Sequence, residues 1–154
     1  MTLQEHCFEL GGLMANFHSL EFLLRAYLQK HTTPKPIATA QSGVDFYSFN
    51  VGAELPENPI TNYDSLRILI DKFNHLMKTK GLVEIDSSIA EIRDALAHGR
   101  VSSAANVEQM RLIKFSRPNN GIVTITFNEE MTLDWFKQNK KIIIELINQV
   151  KAIL

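Results

Sequence analysis

Cysteine is almost absent: Cys7 is the only one in 154 residues. A disulfide within the chain and a multi-cysteine metal site are thereby excluded, which fits a reducing, cytoplasmic setting. A surplus of charge is also missing. Lys and Arg number 16 against 17 Asp and Glu, a formal net charge of −1. Proteins that live by gripping nucleic-acid backbones usually carry a basic excess. Contact with RNA or DNA is therefore expected to be local, or assembled from two copies. No apolar run approaches the roughly 20 residues of a membrane span. The N-terminal stretch, with Glu5 and Glu9, lacks the basic region and apolar core of a signal peptide. The histidines His6, His18, His31, His75 and His98 are scattered without ligand spacing, so no metal or cofactor is expected.

What is present is ordinary globular material, 45% hydrophobic and 21% charged, enough for one well-cored domain over residues 1–154. Leu3, Cys7, Leu10, Met14, Phe17, Leu24 and Leu28 step by four and three, which predicts a long helix from about Leu3 to Lys30. Leu13, Leu20, Leu23 and Tyr27 widen its buried face, and on this stripe Cys7 is expected to be an inert buried thiol. Glu21 falls where the stripe calls for an apolar residue, so its carboxylate needs a partner: Arg25 one turn on, or Arg93 or His98 from another helix. Gly11-Gly12 marks either a kink or the close approach of another helix, including one from a second subunit.

From residue 31 to 60 the pattern breaks. Pro34, Pro36, Pro56 and Pro59 with Gly43 and Gly52 predict a long loop holding a short extended piece over 44–51. Its aromatics Phe46, Tyr47 and Phe49 suggest that it packs on something. Thr61-Asn62-Tyr63-Asp64 has the form of a capping box and opens a second helix carrying Leu66, Leu69, Ile70, Phe73, Leu76 and Met77, which ends near Gly81. Ser88-Ile89-Ala90-Glu91 is another capping-box match, starting a third helix whose stripe is Ile85, Ile89, Ile92 and Leu96. Beyond Arg100 a polar link of small residues leads to a β-hairpin over about 109–128, turning at Asn120-Gly121. Thr132 then caps a last helix, with Met131 and Phe136 placed as a hydrophobic staple and Phe136, Ile143, Ile147, Val150 and Leu154 as its buried face. Lys137, Lys140 and Lys141 read as a solvated basic patch on that helix.

The chemistry concentrates at the end of the third helix, Glu91-Ile92-Arg93-Asp94-Ala95-Leu96-Ala97-His98-Gly99-Arg100. Arg93 is a permanent cation and His98 a titratable imidazole. Five helical steps set them about 140° apart around the axis and about 7.5 Å apart along it. Asp94 and His98, four apart, share a face, so the carboxylate is placed to orient the ring. A guanidinium, an imidazole and an acid beside an apolar face suit chemistry on a phosphate. The plainer alternative is that Arg93 pairs with Glu21 while His98 caps its own helix and Gly99 serves as the C′ glycine.

Four helices with Arg-Asp-x-x-x-His late in the third resemble the HEPN superfamily. Arg93 and His98 have four residues between them, Asp94 is the polar follower, and Ala97-His98-Gly99 matches a common continuation. The resemblance covers most of the chain and implies a mainly α, HEPN-like helical bundle of four main helices, with the β-hairpin inserted before the last. It also implies a homodimer in which motif helices face each other across a cleft. Many HEPN domains are metal-independent ribonucleases of toxin–antitoxin, phage-defence or RNA-processing systems; others are non-catalytic dimerisation or regulatory interaction modules. Carried onto this chain, it implies that His98 moves the proton of the ribose 2′-hydroxyl or the leaving oxygen, and that Arg93 holds the scissile phosphate. Asp94 would orient His98, Arg100 would add a phosphate contact from the rim, and an antitoxin protein is an expected partner. The hairpin and the proline-containing loop lie outside the general pattern and leave the subfamily open.

Overall fold

The computed structural model describes residues 1–33, 49–103 and 109–154. Among these the chain is mainly helical, with a small antiparallel sheet ahead of the last helix. The elements are α1 (Leu3–Thr32), α2 (Leu66–Thr79), α3 (Ile89–His98), β1 (Arg100–Ser102), β2 (Arg111–Phe115), β3 (Ile125–Glu130) and α4 (Leu133–Ile153). Contacts gather into two compact units, Met1–His18 with Ser87–Glu145, and Ser19–Asp86 with Leu146–Leu154.

The first unit holds the opening half of α1, then α3, the sheet and most of α4. Its core is built from Leu13, Phe17, Ile89, Ala90, Ala95, Leu112, Met131, Phe136 and Ile143. Here the register expected for α1 is corrected. His6 is 3% exposed, whereas Cys7 is exposed. The buried line runs His6, Leu13, Phe17, so one step in the first turns moves the thiol out and the imidazole in. Lys140 is also no bare surface lysine, since it pairs with Glu9 across α1 and α4.

The hairpin exists but is one part of a three-stranded sheet in the order β1-β2-β3. Val101-Ser102, expected as the start of a link, form with Arg100 a strand that pairs with β2, Val101 opposite Leu112. Residues 104–108 of that link lie outside the described residues. At the turn, Asn120 (φ 52) and Gly121 (φ 78) both take positive φ, and Asn119 and Ile122 exchange backbone hydrogen bonds of 2.9 and 3.0 Å. That is a two-residue turn with the twist hairpins favour. The register shifts by one residue between Lys114 and Phe115, and β3, Ile125–Glu130, runs slightly past the expected end of the hairpin near residue 128. Thr132 Oγ1 accepts from Trp135 N at 3.0 Å, and Met131 and Phe136 are both fully buried, in keeping with a capped and stapled α4.

The second unit holds the rest of α1, with α2 and the end of α4. Leu20, Leu24, Tyr27, Leu28, Leu66, Leu69, Ile70, Phe73, Met77, Ile85 and Val150 form its core, and α2 buries the stripe its sequence announces. It ends where Leu82 N reaches Met77 O and Gly81 N reaches Lys78 O, a closure that needs the positive φ of +65° at Gly81. The expected capping box of α2 is not used. Ser65 is its N-cap, while Thr61 bonds back to Asn58 and Pro56. Arg25 pulls this loop together, donating to Pro59 O, Asn62 O, Asn62 Oδ1 and Asp64 O at 2.6–3.1 Å. Of the extended piece expected over 44–51, residues 44–48, with Phe46 and Tyr47, lie outside the described residues. Val51 sits in a turn. Residues 31 and 32 still belong to α1.

Candidate functional site

Helix α3 forms because Ile89, Ala90 and Ala95 give it a buried side, with Ile92 and Leu96 half-buried beside it. Its N-cap is not the expected box: Ser88 is itself helical in backbone and makes no side-chain capping bond. At the other end Gly99 has φ −76° and ψ −175°, an extended conformation open to any residue. The C′ role expected for this glycine is therefore corrected. A Cβ there would lie 2.4 Å from Ala95 O, 2.9 Å from Leu112 Cδ1 and 3.0 Å from Ile113 O. Glycine is required for room, because the chain passes straight from α3 into β1 beneath β2.

That close passage positions the site. With Gly99 under Leu112, strand β2 lies along α3 and brings Lys114 into an ion pair with Asp94. His98, the last residue of α3, holds its Nε2 3.7 Å from Asp94 Oδ1, with its side chain 67% exposed. Asp94 thus faces two cationic groups and is closer to the lysine. The distance to His98 is beyond a hydrogen bond and within an ion pair if the ring is protonated. Arg100, exposed on β1, folds back to donate to His98 O at 3.1 Å and Gly99 O at 3.4 Å. It therefore satisfies carbonyls that the end of a helix leaves open.

Of the residues singled out in the sequence, Asp94, His98 and Arg100 come together, and Arg93 lies half-buried on the same helix. Glu21 belongs to the second unit, half-buried on α1. Lys114 is the group that sequence reasoning missed. The strand period of two puts Lys114 on the face of Leu112, the strand's buried residue, which was the available signal. Nothing in the chain before it hints that this face meets α3. Chemically, the cluster offers an accessible imidazole for proton transfer, a carboxylate partner and cations suited to a phosphate.

Among the described residues no three His, Cys, Asp or Glu side chains gather as a metal site requires, and no helix is long and apolar enough to cross a membrane. A groove of about 740 Å³ lies between Phe8 and Leu133, and another of about 500 Å³ is lined by Thr32, Asp64 and His75; neither is lined by α3. No family model, curated protein or solved structure matches this chain.

Proposed function

We propose that the chain is a HEPN-like, metal-independent endoribonuclease of a toxin–antitoxin or phage-defence type, acting as a homodimer. The observation that carries the reading is the exposed His98 imidazole at the end of α3, in reach of the Asp94 carboxylate and beside Arg100, within an Arg-Asp-x-x-x-His motif. In the reaction, the ribose 2′-oxygen attacks the adjacent phosphorus and the bond to the 5′-oxygen breaks. His98 of one copy takes the 2′-hydroxyl proton, and the equivalent residue of the second copy gives a proton to the leaving oxygen. Arg93 binds the non-bridging oxygens and stabilises the charge that builds on them. The half-buried apolar Ile92 and Leu96 supply a contact for the second motif helix. Doubling the cations in one cleft offsets the chain's near-neutral charge.

The test is RNA cleavage by wild type, His98→Ala and Arg93→Ala in excess chelator. The reading requires wild-type cleavage and a loss of 100-fold or more in each variant. Cleavage that survives both substitutions, or that stops with the chelator, overturns it.

A second reading, a non-catalytic dimerisation or regulatory module, is favoured by one observation: Lys114, not His98, is the nearer partner of Asp94. On that reading His98→Ala leaves the oligomer and its partner binding intact and no RNA is cut by any variant.

A further inference from the structure

Helix α1 carries two faces. One bears the buried line of His6, Leu13, Phe17, Leu20 and Leu24. The opposite stripe, Cys7, Phe8, Gly11, Ala15, Ser19 and Phe22, is exposed at every position and holds no Asp, Glu, Lys or Arg. Solvated helix faces are normally charged, and a helix apolar on both sides is normally covered on both. Phe8 is 78% exposed and Phe22 53% exposed. A methyl group added at Gly11 would meet nothing within 4 Å, so the backbone there is open to close approach.

We infer that this stripe is an interface with a second copy of the chain, the two α1 helices crossing antiparallel at Ala15. The pattern is its own complement under a twofold axis. Phe8 and Phe22 stand seven residues on either side of Ala15, so each Phe8 meets the other copy's Phe22. Gly11 meets Ser19, and Ala15 meets itself. The small centre lets the backbones approach while the aromatic ends close over it. The lack of charge removes the like-charge repulsion that twofold pairing imposes on a charged stripe. The stripe spans only Cys7 to Phe22, about 24 Å of helix, because Ala26 and Gln29 further along the same side are buried within the chain. A stripe of that length falls short of the roughly 800 Å² per partner of a standard interface. The pairing is accordingly expected to depend on protein concentration. It is independent of α3, so if motif helices also pair, the assembly grows to four copies or a chain.

Light scattering on a sizing column, at concentrations from 1 to several hundred micromolar, reads the mass of wild type, Phe8→Asp and Phe22→Asp, with Ile122→Asp as a surface control. The expected result is a concentration-dependent mass at least twice 17.5 kDa, halved in both Phe variants and kept in the control. Circular dichroism matched to wild type excludes unfolding, because both Phe positions are exposed. Equal masses for wild type and the Phe variants, or a wild-type monomer at every concentration, overturn the inference. Geometry is read separately in Cys7→Ser/Ala15→Cys, where mild oxidation is expected to give a disulfide-linked dimer. In wild type the two Cys7 sulfurs stand roughly 24 Å apart along the axis and form none. The reverse pattern overturns the antiparallel crossing.

Discussion

His6 offers the sharpest stability test. It is 3% exposed and packs edge-on against Phe136, ring centroids 5.4 Å apart at 77°. Its Nδ1 has no hydrogen-bond partner among the described residues. Burial pushes its pKa below the usual 6.5, because the low-dielectric interior penalises the imidazolium. Above pH 6.5 the ring is neutral in folded and unfolded chains alike. As pH falls below 6.5 the unfolded chain binds a proton that the folded chain refuses, so stability drops until the lower folded pKa is reached, by about 1.4 kcal/mol per pH unit. By pH 5 the loss is at most about 2 kcal/mol. In His6→Leu the unsatisfied nitrogen, costing about 1–3 kcal/mol, disappears, and the edge-on ring contact worth about 0.5–1.5 kcal/mol goes with it. The net expectation at pH 7.5 is a gain near 1 kcal/mol, widening at pH 5. Urea titrations of both proteins at half-unit steps between pH 7.5 and 5.0 read this directly. His31, also lowered by burial and by Lys80 and Lys30, contributes equally to both and cancels. If the two proteins lose stability in parallel, the reasoning fails.

Three further outcomes follow from the packing. Gly99→Ala forces a methyl against two backbone oxygens and is expected to cost about 2 kcal/mol or more in urea unfolding, whereas a mere helix-end preference would cost a few tenths. Arg25→Met removes the bonds to Pro59, Asn62 and Asp64; a loss of about 2–3 kcal/mol and faster proteolytic cleavage near residues 56–64 are expected, and unchanged proteolysis contradicts it. Cys7, exposed in the single chain, should react stoichiometrically with a thiol reagent in Phe8→Asp, where the α1 faces cannot pair; reaction there only after denaturant would restore the buried placement.

Much of the fold was legible where one face alone is apolar. Helix α2 carries its stripe against polar neighbours and buries Leu66, Leu69, Ile70, Phe73 and Met77, as the spacing says. Helix α1 misled at its start because Leu3, Cys7 and Phe8 compete with His6 and Leu13 for the inward face, and periodicity cannot rank two apolar sides. Strand β1 was hidden because three residues carry no alternation; it exists through pairing with β2. In the site, Asp94 with His98 was readable from a spacing of four. Lys114 was not, since its partner lies twenty residues away and depends on Gly99 clearing a path for β2.

The chemistry of the cut ends tests the central claim most directly. A defined RNA incubated with wild-type protein in excess chelator, its products resolved by mass spectrometry, should carry 2′,3′-cyclic phosphate and 5′-hydroxyl ends that vanish with His98→Ala. Products with 3′-hydroxyl and 5′-phosphate ends, or cyclic ends undiminished in His98→Ala, would contradict it.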